Sequence, residues 1–178
     1  MQRREYLGAC GLFAGGLAGC LGDRSTGSGG PNDTSTTDDA TPTPGENELR
    51  TLDVAGSPGG VLPVVPNGEP ALLDFWATWC APCEPQMDEL RAVRESFPDL
   101  HLLSITNESD TAAIRSFWRE HEGTWPVAVD TELRTNQRFD VTRIPTLLVV
   151  DADGSVVWDH VGLAAAETIS EALTEVDA

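Results

Sequence analysis

Ala71-Leu72-Leu73-Asp74-Phe75-Trp76 runs directly into Ala77-Thr78-Trp79-Cys80-Ala81-Pro82-Cys83, and a buried strand turning into a helix is written in that join. Ala71 to Trp76 is apolar at every position but Asp74, the pattern of a strand covered on both faces. From Cys83 onward Met87, Leu90, Val93 and Phe97 recur every three or four positions, as one apolar stripe of a helix. Cys80 therefore stands at a helix N-terminus, where unsatisfied amides and the macrodipole favour a thiolate. A thiolate attacks disulfides, and the mixed disulfide it forms is resolved by a second cysteine. With two residues between them, Cys80 and Cys83 are brought together by one helical turn, which Pro82 preorganises.

Outward from this join the periodicity keeps alternating. Leu49 to Val54 reads as a short edge strand, followed by a Gly/Pro-rich stretch. Leu100 to Thr106 is the next strand, and Ile114, Phe117, Trp118 and His121 stripe a second helix. Val127 to Val129 is a brief strand, Glu132 to Phe139 a short helix, and Thr146 to Val150 a fully apolar strand. Asp153-Gly154 turns into Val156 to His160 as a hairpin, and Ile169, Ala172, Leu173 and Val176 stripe a last helix. Strands alternating with helices predict an α/β fold, a central sheet with helices on both faces. No internal repeat is present.

The other end of the chain carries an address. Met1 to Cys20 joins basic Arg3-Arg4 to an apolar stretch, Tyr6 to Ala18, and a small-residue ending. That stretch is too short for a bilayer span, which needs roughly 20 residues. Arg3-Arg4-Glu5-Tyr6-Leu7 resembles a twin-arginine export signal, and Leu17-Ala18-Gly19-Cys20 a lipobox whose cysteine is lipidated. The expected organisation is a signal peptide over 1–20, a Ser/Thr/Gly/Pro/Asp linker over 21–48 and a folded domain over 49–178. Cys10 leaves with the signal and Cys20 carries lipid, so Cys80 and Cys83 remain as the free pair. A four-cysteine framework or a closed zinc site is excluded by number. Asn32-Asp33-Thr34 and Asn107-Glu108-Ser109 match glycosylation sequons, a pattern that also arises by chance.

Charge sets further bounds. Of 178 residues 29 are acidic and 11 basic, a formal net charge of −18. The basic residues are all arginine, with no lysine. So acidic a surface repels phosphate backbones and argues against nucleic-acid binding. Concentrated salt screens the self-repulsion, because the Debye length falls to about 3 Å at 1 M, and the composition reads as that of a halophile.

Asp74 to Cys83 resembles the active-site segment of thioredoxins, and Arg143-Ile144-Pro145-Thr146 resembles their cis-proline loop. The extra helix and strand between Asp110 and Asp130 resemble the insertion of the membrane-tethered TlpA/ResA-type branch. The resemblance covers Leu49 to the C-terminus. It implies a thioredoxin-like fold, a mixed sheet flanked by helices with a TlpA-type α–β insertion, and several residue roles. Pro145 matches the cis-proline, and the backbone of Ile144 would pair with an incoming substrate strand. Asp74 matches a buried carboxylate that deprotonates the resolving cysteine. Burial raises the pKa of such a group and suits it to proton transfer, although a solvated or hydrogen-bonded structural aspartate is the alternative. Gly162 matches a glycine that lets substrate backbone approach the sulfurs, with turn closure as an equal explanation. Trp79 flanks the reactive sulfur and shapes the groove, or serves packing alone. Where the branch commonly has glutamate three residues after the second cysteine, this chain has Gln86, so that acid–base role is not carried over. Glu84 beside Cys83 works against a thiolate. Pro85, just inside the helix, is expected to remove one backbone hydrogen bond and kink the first turn.

The resemblance implies a monomeric thiol–disulfide oxidoreductase, lipid-anchored and facing outward. It would reduce disulfides of exported proteins or apocytochromes, with electrons exchanged through a membrane donor or acceptor. No cofactor and no metal are implied, since the two thiols carry the electrons. An oxidase or isomerase uses the same residues in the opposite direction. A copper-chaperone-like binding module would need CxxxC and a downstream histidine ligand, and a peroxiredoxin the Pro-xxx-Thr-xx-Cys segment; neither pattern is present.

Overall fold

The structure, a computed structural model, describes residues 44–176. The signal peptide, Cys20 and most of the 21–48 linker lie outside the described residues. Seven strands and four helices follow one another as β1 (Glu48–Val54), β2 (Ser57–Pro63), β3 (Ala71–Trp76), α1 (Cys83–Ser96), β4 (His101–Thr106), α2 (Thr111–Glu120), β5 (Val127–Val129), α3 (Arg134–Arg138), β6 (Thr146–Val150), β7 (Val156–Val161) and α4 (Ala166–Val176). The strands form one mixed sheet in the order β2-β1-β5-β4-β3-β6-β7. β3, β4 and β5 run parallel, whereas β1–β2, β1–β5, β3–β6 and β6–β7 pair antiparallel. Every residue of β3 and of β6 is buried, Asp74 and Thr146 included, as expected of strands covered on both faces.

Alternation along β3 divides the interior in two. Leu72 and Trp76 join the cluster that holds Cys80, Cys83, Met87, Leu90 and Val93, while Leu73 and Phe75 point into a second cluster with Leu103, Ile105 and Leu148. Each fully buried Leu or Val contributes about 1.5–3 kcal/mol. The helices are shared unevenly between the two faces. The buried apolar residues of α1, α2 and α4 all belong to the first cluster, Met87, Ile114, Trp118 and Ile169 among them. The second face is closed by Val64, Val65 and Val141 from loops and by Phe139 at the end of five-residue α3. Alternation of strands and helices in sequence does not specify which face each helix takes.

Two expectations are corrected. The Gly/Pro-rich stretch after β1 is itself a strand, β2, which pairs antiparallel with β1 from Val54↔Ser57 to Glu48↔Pro63. β1 is therefore internal, between β2 and β5, and β2 is the edge. Pro58, Pro63, Gly59 and Gly60 count against a central strand but are tolerated where one side needs no ladder partner. Gly56, at φ +74°, closes the hairpin so tightly that a Cβ there would lie 2.2 Å from the carbonyl carbon of Thr124. Pro85 costs no intrahelical hydrogen bond. It falls in the first turn of α1, whose amides have no intrahelical partner, and α1 continues to Ser96.

Local chemistry sets the other element ends. Asp110 caps α2, its Oδ1 accepting from the amides of Ala112 and Ala113 at 3.1 Å each. α3 is shorter than the expected Glu132 to Phe139, because Leu133 adopts φ +59°. Residues 45–48 are held to the domain: Asn47 Nδ2 donates to the Val65 carbonyl at 2.7 Å, and Arg134 donates to the carbonyls of Gly45 and Glu48.

Candidate active site

Cys80 and Cys83 are joined by a disulfide, with S–S 2.02 Å and Cα–Cα 5.3 Å. Their placement follows from the strand-to-helix join. β3 ends at Trp76, the Cys80 amide donates to the Ala77 carbonyl at 3.1 Å, and the Cys83 amide donates to the Cys80 carbonyl at 2.9 Å. Pro82 sits at the N-cap with φ −72° and ψ −11°, already helical. Only 4% of Cys80 and 2% of Cys83 are exposed, whereas Trp79 beside them is 75% exposed. A large exposed aromatic next to a buried disulfide provides a contact surface without itself holding the fold together. Glu84 is exposed in the first turn of α1, where a negative charge interacts favourably with the helix dipole.

The loop carrying Trp79 is tied down by a residue whose role the sequence did not show. Glu108, just beyond β4, accepts from the Thr78 amide and from Thr78 Oγ1, each at 2.7 Å. A carboxylate accepting from both donors of one residue fixes the backbone two positions before Cys80. In sequence Glu108 was visible only as the middle of a sequon. Its position after a strand lying beside β3 was the available signal.

The Arg143-Ile144-Pro145-Thr146 loop comes to the same end of the sheet, since β6 pairs antiparallel with β3 and starts where β3 finishes. The Ile144–Pro145 peptide is cis. Thr146 Oγ1 donates to the Arg143 carbonyl at 2.8 Å, and the Gly162 amide donates to the Pro145 carbonyl at 2.8 Å. Gly162 has φ +102°, and a Cβ there would meet nothing within 4 Å, so backbone conformation rather than internal crowding calls for glycine. Gln86, buried on the apolar stripe of α1, binds the next segment at both ends of its amide. Its Nε2 donates to the Ala164 carbonyl at 3.1 Å, and its Oε1 accepts from the Ala164 amide at 2.8 Å. A carboxylate could accept from that amide but would face the carbonyl without a proton to give. The chain's departure from the glutamate pattern thus suits this contact.

Asp74 is 1% exposed and lies between Leu72 and Trp76 on the face of β3 that carries the cysteine cluster. Burial pushes its pKa from 3.8 up to about 7, against the lowering effect of a hydrogen bond from Ser104. Ser104 Oγ donates to Asp74 Oδ2 at 2.6 Å, and Asp74 Oδ1 has no partner. Trp79, Ile144, Val141 and Leu133 line a cleft of about 430 Å³ together with Arg143 and Asp140. A second cavity of about 460 Å³, beside Pro70 and His101, is at the opposite end of the sheet and contains none of these residues. Thus Cys80, Cys83, Trp79, Ile144, Pro145 and Gly162 gather at one end of the sheet, with Asp74 beneath them in the core. Among the described residues no helix is long and apolar enough to cross a membrane.

Comparison with known proteins agrees with this geometry. The chain is 25% identical over 112 residues to the thiol-disulfide oxidoreductase ResA of Bacillus thuringiensis subsp. konkukian, covering 62% of this chain and 65% of that relative, just under two thirds of its length. The crystal structure of StoA from Bacillus subtilis superposes with TM-score 0.61 at 19% identity, over 70% of this chain and 93% of that one. The pneumococcal exposed lipoprotein thioredoxin Etrx1 of Streptococcus pneumoniae gives 0.58 at 25% identity, over 72% and 97%. The fold is thioredoxin-like, a mixed sheet flanked by helices, and α2 and β5 lie between β4 and α3. The redoxin family model matches residues 66–176, which is more than half of the sequence, and the chain belongs to the redoxin family.

Proposed function

We propose that this chain is an extracytoplasmic thiol–disulfide oxidoreductase that reduces disulfides in exported proteins, apocytochromes among them. The observation that carries the reading is the Cys80–Cys83 disulfide, buried at the opening of α1 beneath exposed Trp79 and beside the cis Ile144–Pro145 loop. The similarity to a thiol-disulfide oxidoreductase over 112 residues supports it. In the reduced protein the Cys80 thiolate attacks a substrate disulfide. One substrate sulfur leaves as a thiolate and takes a proton, and Cys80 holds the other as a mixed disulfide. Cys83 then gives its proton to the Asp74 carboxylate and its thiolate attacks Cys80 Sγ. This releases the second substrate thiolate and regenerates the Cys80–Cys83 disulfide. Two electrons pass from the protein to the substrate, and a membrane electron donor must restore the dithiol. Ile144 offers its backbone to an extended substrate strand, Pro145 and Gly162 shape the approach, and Trp79 supplies apolar contact.

Anchoring belongs to the same proposal: export by the twin-arginine signal, lipid on Cys20, and a Ser/Thr/Gly/Pro/Asp linker that ends before residue 45, with a monomeric domain outside the cell. The acidic, lysine-free surface suits a halophile's medium. The deciding measurement is the reduction potential of the Cys80/Cys83 pair, by equilibration with dithiothreitol or glutathione in concentrated salt. The expected value is near the roughly −270 mV of thioredoxin. A value near about −120 mV would reverse the direction and make the chain a disulfide donor.

A further inference from the structure

Three elements meet around Asp74. Ser104 of β4 is its register partner in the parallel β3–β4 pair, and Val127 of β5 pairs with Ser104 in turn. Trp125, two residues before Val127 and fully buried, sends its Nε1 to Ser104 Oγ at 2.8 Å. Ser104 Oγ stands 2.6 Å from Asp74 Oδ2. An indole N–H can only donate, so Ser104 Oγ must accept from Trp125. The single hydroxyl proton is then directed at Asp74 Oδ2. A proton on Oδ2 would face the proton of Ser104, whereas Oδ1 is buried without any partner. The two carboxyl oxygens are therefore inequivalent.

We propose that Ser104, oriented by Trp125, is a positioning residue that occupies Asp74 Oδ2 and leaves Oδ1 as the oxygen that takes the Cys83 proton. The inference rests on the reading of Asp74 as the proton acceptor in resolution. It also gives the connection between α2 and β5 a role in the redox chemistry, because Trp125 belongs to it. In the resolving step the Cys83 S–H bond breaks and an Oδ1–H bond forms. The Ser104 hydrogen bond stabilises the carboxylate before transfer and persists to the neutral acid afterwards. On this face of β3 Leu72 and Trp76 flank Asp74 and Leu147 is its register partner on β6, and the cluster there also holds Trp118, Met87 and the two cysteines, whose thiols are its titratable groups. The acids and bases of α1, α2 and α4 are exposed or half-exposed. Burial and the Ser104 bond are accordingly the two influences on the carboxyl, which titrates at about 7.

The test uses the full chain in concentrated salt. Reduced protein is mixed with dithiobis(nitrobenzoate), and release of the second coloured thiolate, the resolving step, is followed by stopped flow across pH. Asp74→Asn should abolish the neutral inflection. Ser104→Ala should move it up by about one pH unit, leaving resolution about tenfold slower below the inflection and equal to wild type well above it. Ser104→Thr should restore the wild-type profile, and Trp125→Phe should shift it in the same direction as Ser104→Ala but by less. Carboxyl-carbon NMR of Asp74 in the oxidised chain reads the same midpoints without turnover. It decides the matter through Trp125→Phe if Ser104→Ala does not fold. An unmoved inflection in Ser104→Ala, with Asp74→Asn still abolishing it, overturns the positioning role and leaves the acceptor intact. An unchanged profile in Asp74→Asn overturns both.

Discussion

Replacing Asp74 with asparagine should stabilise this protein increasingly as the pH rises. Asp74 is fully buried, and its pKa is raised from 3.8 to about 7 with burial as the main cause. The direction follows from proton linkage. Between the two values the unfolded chain has released the proton while the folded chain still holds it, so stability falls as pH rises through this window and levels off above about 7. Once both states are ionised the penalty is about 4 kcal/mol, at about 1.4 kcal/mol for each tenfold change in proton affinity. Asparagine keeps an oxygen for the Ser104 hydroxyl and places an NH₂ where Oδ1 has no partner, at a cost of about 1–3 kcal/mol. That cost does not vary with pH, so it cancels when the same pair of proteins is compared at two pH values. The variant's stability relative to wild type should therefore rise by about 2–3 kcal/mol between about pH 5 and about pH 8.5. The assay is denaturant unfolding of both disulfide-bonded proteins at those two pH values in concentrated salt. His101 contributes in the opposite sense. Its burial lowers its pKa, so stability is lost as pH falls below the ordinary histidine value, and this too cancels between the two proteins. Parallel stability curves, with a difference constant to within ~0.5 kcal/mol, would refute the reasoning, because Asp74 would then not change its protonation in this range.

Removing the carboxylate that holds the active-site loop, in Glu108→Ala, should cost about 2–3 kcal/mol of stability and speed amide exchange at Thr78, since it leaves two donors of Thr78 without an acceptor; exchange mass spectrometry over 77–80 checks this, with Glu108→Gln expected to lie close to wild type. Gly56→Ala should cost at least about 2 kcal/mol in denaturant midpoint, because it combines φ +74° with a backbone collision at Thr124. Gly60→Ala should cost less, because its φ is +89° but nothing lies within 4 Å of the added carbon.

Several elements were legible because one-dimensional periodicity reports burial directly. Ala71–Trp76 and Thr146–Val150 are buried on both faces, and the stripes on α1, α2 and α4 face one cluster as their spacing requires. β2 was hidden because Ser57-Pro58-Gly59-Gly60 has turn composition; an edge position makes it a strand, and edge position is a property of the assembled sheet. The same limit applies to the helices. Their apolar stripes say that each packs on something, and only the assembled sheet puts α1, α2 and α4 on one face.

The Cys80/Cys83 pair, the strand-to-helix join that carries it, the Ile144-Pro145 loop and the buried carboxylate at Asp74 were legible in the sequence, because each is a local pattern of a few adjacent residues. Tertiary structure alone decided what holds them in place. Glu108 reaches back 30 residues to Thr78, Gln86 reaches 78 residues forward to Ala164, and Trp125 orients Ser104 against Asp74 across three elements. Polar partners so far apart leave no periodic signature, since a hydrogen bond depends on where two atoms meet in space and not on the residues between them.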